Sequence, residues 1–158
     1  MKNKHVEYLK KAIKLSNYNI NNDLGGPFGA IIVKDGKIIA KGLNQVTSKN
    51  DSTAHAEIVA IRNACKKLKT FNLENCIIYC SCEPCPMCLG AIYWARISEV
   101  YFAATKNDAA EINFDDDFIY KEINKPLDKR KIKFKQLLRN EAVEVLNQWQ
   151  NKENKTKY

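Results

Sequence analysis

Two short stretches constrain this chain more than any others: T-A-H-A-E-I at residues 53–58 and E-P-C-P-M-C at residues 83–88. His55 is one of only two histidines in 158 residues, and it stands two positions before Glu57. Cys85 and Cys88 are separated by two residues, with Pro86 suited to the first turn of a helix. At such a position the unpaired backbone N–H groups and the helix dipole favour thiolates. If His55 also lies at a helix start, one nitrogen and two sulfurs converge on one tetrahedral zinc, with a fourth position left for water. Any fold for this chain must therefore bring two helix starts, some thirty residues apart, to the same point.

Other uses of these residues are weaker. A redox Cys-x-x-Cys gives no role to His-x-Glu. Cys82, Cys85 and Cys88 have the spacing of an iron–sulfur run, but the fourth cysteine is missing, since position 92 is isoleucine. A closed structural zinc would need Cys80 or Cys82 as fourth ligand, and neither has a helix-start position. Cys65 and Cys76 fall in apolar patterns and are expected as small core residues. His5 is expected as a solvated residue on a first helix.

The pattern along the chain predicts the surrounding elements. Val6, Leu9, Ile13 and Ile20 have helical spacing over 4–19. Runs 30–33 and 37–42 form a hairpin about Lys34-Asp35-Gly36. A helix follows from about 53 to 68 with Ile58, Ile61, Cys65 and Leu68 on its apolar stripe, then a strand at 76–80, a helix at 86–95 and a strand at 100–104. Beyond residue 105 we expect a loop through 113–117, a short helix near Phe118 and a final helix at about 136–149 with Leu138, Ala142, Val145 and Trp149 on one face. Strands alternating with helices predict an α/β sandwich with a mostly parallel sheet behind the hairpin.

Composition sets limits on function. At 45% apolar residues, the chain has the material for one core and one domain, 1–158. Its start lacks the apolar core of a signal peptide, and no run approaches the ~20 apolar residues of a membrane span, so a cytoplasmic location without membrane attachment is expected. The formal charge of +8 is concentrated between Lys121 and Arg139, but the aromatics there are not interleaved as a nucleic-acid stacking platform requires. Nucleic acid is therefore disfavoured as a partner.

His-x-Glu with Pro-Cys-x-x-Cys is the signature of zinc-dependent nucleobase deamination. Two thiolates already balance the zinc charge, so the metal acidifies water less than it would with three imidazoles. A carboxylate placed to take the proton compensates, and Glu57 suits that role.

HAE at 55–57 and SCEPCPMCLGAIYWAR at 81–96, together with GGPFGAIIVKDGKIIA at 25–40, Asn44, FDDDFIYKEI at 114–123 and the terminal Lys157-Tyr158, resemble the bacterial guanine deaminases of the cytidine deaminase-like fold. The resemblance covers nearly the whole chain. It implies a three-layer α-β-α sandwich around a five-stranded mixed sheet, one Zn2+ per subunit, free guanine as substrate, and a homodimer exchanging C-terminal segments, here 133–158. Position by position it implies His55, Cys85 and Cys88 as zinc ligands and Glu57 as proton shuttle. It also implies Phe28 stacking on the purine, Asn44 at its polar edge and the backbone N–H of Ala56 facing the base. Asp116 becomes a second carboxylate near the leaving amine, Trp94 a pocket wall, and Tyr158 a lid from the partner subunit. The run Asp115-Asp116-Asp117 leaves open which aspartate points inward.

Overall fold

The computed structural model describes residues 2–114 and 116–157, which fall into two units, Met1–Asp117 and Phe118–Tyr158. In the first, helix α1 (Lys2–Asn21) leads to strands β1 (Gly29–Lys34) and β2 (Lys37–Leu43), a single turn α2 (Val46–Lys49), helix α3 (Ala56–Leu68), strand β3 (Cys76–Cys82), helix α4 (Pro86–Trp94), strand β4 (Glu99–Ala104) and short α5 (Lys106–Ala110). The hairpin turns on Asp35 and Gly36, both at positive φ (49° and 70°), as a two-residue turn between twisted strands requires.

The sheet has four strands in the order β2-β1-β3-β4, not the five expected. No stretch after β4 adds a strand among the described residues; that part of the chain is used in helices and irregular segments. Nor is the sheet mostly parallel. Strands β2, β3 and β4 run the same way, but β1 lies between β2 and β3 and is antiparallel to both, so β3–β4 is the single parallel pairing. The crossover through α3 thus jumps over a strand that the hairpin had already laid down.

Alternation along the strands divides the core. Ala30, Ile32, Cys76, Ile78 and Cys80 face α3 and α4, packing with Ala56, Ala60, Ala64, Ile92 and Ala95. Ile31, Val33 and Tyr79 face α1 and pack with Ala12, Tyr8, Leu9 and Leu15. The result is a sandwich of helices on both faces of a mixed sheet. On α1, however, Val6, Ile13 and Ile20 are exposed; the helix buries the face of Ala12 and Asn19 instead. Small Ala12 lets the helix lie close to the sheet, where a bulky residue would hold it off.

His5 is not solvated as expected. Its ring stacks on Tyr101 with centroids 4.4 Å apart, and its Nδ1 lies 2.8 Å from the Tyr79 hydroxyl. Parallel register sets Tyr79 beside Tyr101, so neighbouring strands supply the aromatic surface on which α1 rests. Burial, the largest cause, pushes the Tyr79 hydroxyl up to about 12, so it remains a neutral partner.

In the second unit, α6 (Asp117–Ile123, all but its first residue), a 3-10 turn at Leu127–Lys129 and α7 (Arg139–Asn151) bury no side chain among the described residues. Leu138 stands just before α7 in the left-handed region (φ 53°).

One close approach sets the position of α3 against the sheet. A Cβ on Gly42 would stand 1.9 Å from the carbonyl oxygen of Ala56 and 2.5 Å from the amide nitrogen of Ala60, both backbone atoms of α3. Gly42→Ala therefore has to displace the helix that begins beside His55. We expect it to destabilise the protein by about 3 kcal/mol, the upper part of the usual overpacking range, and to weaken zinc retention. Urea unfolding and metal analysis of the same preparation check both effects.

Candidate active site

The starts of α3 and α4 meet. His55 and Cys85 are the residues immediately preceding the two helices, and their backbones are alike and extended (φ −66°, ψ 155° and φ −66°, ψ 169°). Cys88 follows in the first turn of α4, buried. His55 Nδ1 lies 3.5 Å from Cys85 Sγ and 3.6 Å from Cys88 Sγ, and the three donor atoms all fall within 4.8 Å of one another. A tetrahedral ion with ordinary Zn–N and Zn–S bonds requires an N···S edge of about 3.6 Å, so the donor set has the dimensions of a zinc site without rearrangement. These three residues are the site for a single zinc ion. Among the described residues no fourth side chain joins them: Cys80 is enclosed in the core, and the Cys82 thiol donates to the Thr105 carbonyl at 3.4 Å. The chemistry of the set, one imidazole and two thiols at helix starts, is that of an open zinc centre.

The two thiols differ in how tightly they hold a proton. Cys85 is pulled down to about 4, first by a hydrogen bond from the Cys88 thiol and further by His55. Cys88 is pushed far up by the same bond and by burial. His55 is raised, chiefly by its hydrogen bond with Cys85. The cluster thus holds protons that a metal must displace. Glu57, in the first turn of α3, is buried, and burial is the largest cause raising its carboxyl above the ordinary range.

A cavity of about 410 Å³ opens on the metal site, a size suited to a small molecule. It is lined by His55, Cys85, Glu57, Phe28, Asn44 and Asp116, from distant parts of the sequence. The Asn44 side-chain oxygen accepts the backbone N–H groups of Gly26 and Val46, each at 3.3 Å, so its orientation is determined and its NH2 is what it can offer the cavity. Ala56 is buried as the first residue of α3, where helix geometry leaves its N–H without an intrahelical acceptor. Asp116 lines the cavity, Asp117 begins α6, and Asp115 lies outside the described residues. Trp94 ends α4 70% exposed and is not part of this cavity's lining. Tyr158 lies outside the described residues.

Sequence reasoning missed several lining residues: Val46 and Thr47 on α2, Glu83, Lys106 and Ala109 on α5, Asn113 and Phe114. A signal for α5 was present. Thr105 and Asp108 form a reciprocal capping box, a pattern readable as Thr-x-x-Asp. Phe114 sits edge-on to Phe28, centroids 4.9 Å apart, a pairing across 86 positions that no local pattern announces.

The profile described as the cytidine and deoxycytidylate deaminase zinc-binding region matches residues 2–104. The chain belongs to this family. Within the deaminases it is similar to the guanine deaminase of Bacillus subtilis (strain 168), with 56% identity over 154 residues, 98% of this chain and 99% of that protein. The X-ray structure of guanine deaminase from Bacillus subtilis superposes with a TM-score of 0.95 at 56% identity, covering 98% of both chains. The tRNA-specific adenosine deaminase of Buchnera aphidicola subsp. Schizaphis graminum is 40% identical over 145 residues, 91% of this chain and 92% of that protein.

Zinc uptake must expel the proton shared by the two thiols and any proton on His55. Apparent zinc affinity is therefore expected to fall as pH falls, by roughly tenfold per pH unit for each proton released. Competition with a chromophoric chelator between pH 8 and pH 6 checks this. A pH-independent affinity would show that the three side chains already lack those protons.

Proposed function

We propose that this chain catalyses hydrolysis of guanine to xanthine and ammonia. The observation that carries the reading is the cavity itself, which gathers an aromatic ring, an oriented amide donor and two carboxylates around the His55–Cys85–Cys88 site. The near full-length likeness to a guanine deaminase selects guanine among flat bases. No helix among the described residues is long and apolar enough to cross a membrane. A cytoplasmic location belongs to the reading, supported by the thiols of Cys65, Cys76, Cys80 and Cys82 outside the zinc set, unoxidised as is usual in reducing compartments.

In this reading Phe28 offers its ring face to the purine, and the Asn44 NH2 donates to an acceptor on the base edge. The N–H of Ala56 serves as a further donor. His55, Cys85 and Cys88 would hold the zinc, which when bound would supply an acidified water as nucleophile near neutral pH. Glu57 takes a proton from that water and delivers it to N3 of guanine as the bond from oxygen to C2 forms. The remaining proton passes through Glu57, with Asp116 beside the amine, to the exocyclic nitrogen. The C2–N bond then breaks, ammonia leaves and C2 becomes the carbonyl of xanthine. Burial suits Glu57 to this exchange, because a carboxyl whose pKa is raised holds a transferred proton more readily than an exposed one.

A single deaminase domain that exchanges residues 133–158 between two copies is the second part of the proposal. Supporting it, Leu137, Leu138, Val145, Leu146 and Trp149 are all exposed in the isolated chain, an apolar surface that a second copy would cover. Tyr158 of each copy then closes the other's cavity, which excludes bulk water and leaves no path for a polynucleotide.

Glu57→Gln is expected to keep one zinc per chain while lowering guanine turnover ~10²- to 10⁴-fold, the usual share of a general acid–base group. Chromatography of products identifies xanthine. Conversion of adenine in transfer RNA with guanine untouched would reassign the substrate.

Removing residues 155–158 is expected to preserve zinc content and dimer mass but reduce turnover. Mixing those truncated chains with full-length Glu57→Gln chains restores part of the activity if the tail acts in trans. Continued inactivity after verified subunit exchange would place the tail in its own chain's site.

A further inference from the structure

We infer that Asn19, on the inner face of α1, is a positioning residue that sets the spacing between Phe28 and Asn44. The inference rests on the reading of those two as base contacts. Asn19 is fully enclosed, and both hydrogen bonds of its NH2 run toward the cavity wall: one to the Gly26 carbonyl at 2.8 Å, the other to the Asn44 carbonyl at 2.9 Å. Its side-chain oxygen meets no donor among the described residues. The side chain of Asn19 therefore acts through its NH2 alone, and that group ties the Gly26–Phe28 segment to the Asn44 segment.

Those bonds form a closed web. The Gly26 carbonyl also accepts the N–H of Phe28 at 2.8 Å, and the Asn44 N–H donates to the Phe28 carbonyl at 3.2 Å. The Asn44 side-chain oxygen accepts the Gly26 N–H. Asn19 also accepts the N–H of Leu24 through its own backbone carbonyl at 3.1 Å, so one residue of α1 holds both the start of the loop and its far side. Gly25, at φ 155°, fits against the Asn44 carbonyl that Asn19 holds; a Cβ there would stand 2.4 Å from its oxygen. A Cβ on Gly26 would come within 3.4 Å of the rings of Phe28 and Phe114. The wall is tight at Gly25 and held by these hydrogen bonds, so releasing either carbonyl is expected to move the ring of Phe28, the NH2 of Asn44, or both. Among the described residues none of these hydrogen bonds is to a metal ligand. The consequence falls on base binding, made alike in ground and transition states, and not on the chemical step.

The test uses the full-length, zinc-loaded protein and steady-state kinetics on guanine, with zinc content and Tm for each variant. Asn19→Asp keeps the shape and replaces the NH2 by an acceptor; Asn19→Ala removes the group and serves if the buried carboxylate prevents folding. Each foldable variant is expected to raise KM about tenfold with kcat within about twofold and one zinc retained, the pattern of lost uniform binding. Asn44→Ala also raises KM, and adding Asn19→Ala to the Phe28→Ala/Asn44→Ala double variant changes KM little further, as for residues acting as a unit. An Asn19 variant that lowers Tm while leaving KM unchanged, or an Asn19→Ala effect that persists in full in the Phe28→Ala/Asn44→Ala background, overturns the inference. If Asn44→Ala itself leaves KM unchanged, the base-contact reading fails and the inference with it. A raised KM in Asn44→Ala beside unchanged KM in both Asn19 variants overturns the inference alone.

Discussion

Two helix starts aimed at one point are the constraint on which the rest of this molecule depends. His55 and Cys85 hold the same extended backbone just before α3 and α4, and that geometry turns both side chains toward the same ion. For the starts to meet, α3 must lie tightly on β2, which the missing side chain at Gly42 allows, and α4 must follow β3 directly. The two thiols lie in one hydrogen-bonded cluster with His55, in which Cys85 gives up its proton easily and Cys88 holds its own. Metal replaces that arrangement with a neutralising charge.

Around the metal, the division of labour follows the chemistry of each element. Residues on regular helix starts hold the ion and Glu57, where position must be accurate. Residues on the loops and short turns after α1, β2 and β4 shape the cavity, where different bases would require different walls. The loop segments are not loose. Phe28, Asn44 and Gly26 are cross-linked by backbone hydrogen bonds, and the Phe28 ring is set against Phe114. Two faces of the sheet contribute in different ways: the face toward α3 and α4 carries the metal residues, while the face toward α1 carries the tyrosine and histidine packing that keeps the helix, and with it Asn19, in place.

The two units differ in energetic character. Up to Asp117, strands alternate between two cores and bury most of their apolar residues. From Phe118 onward the helices leave large apolar side chains in solvent, an arrangement unfavourable by itself because each exposed leucine or tryptophan forgoes transfer free energy of roughly 1.5–3 kcal/mol. Apolar periodicity in such a segment is a statement about a surface to be covered, not about a core already made.

What the sequence alone determined were the features written in local codes. Helix-start chemistry at His55 and Cys85-Pro86, the Lys34-Asp35-Gly36 turn, and the helical and strand runs read at about 53–68, 76–80, 86–95 and 100–104 are all legible to within a few residues, since spacing and capping act over a few residues. The zinc set was legible too, because its ligand types and spacings admit few other uses. Tertiary structure alone decided the rest. That β1 would lie between β2 and β3, leaving one parallel pair in a four-stranded sheet, follows from which strand edges met, which no local pattern encodes. The buried face of α1 ran through Ala12 and Asn19 and not Val6 and Ile13, because a close helix–sheet contact favours a small residue and an amide with two carbonyls to satisfy. The edge-on ring of Phe114 and the reach of Asn19 to Gly26 and Asn44 exist only after distant segments pack, since a hydrogen bond or ring contact is specified by position in space and not by separation along the chain.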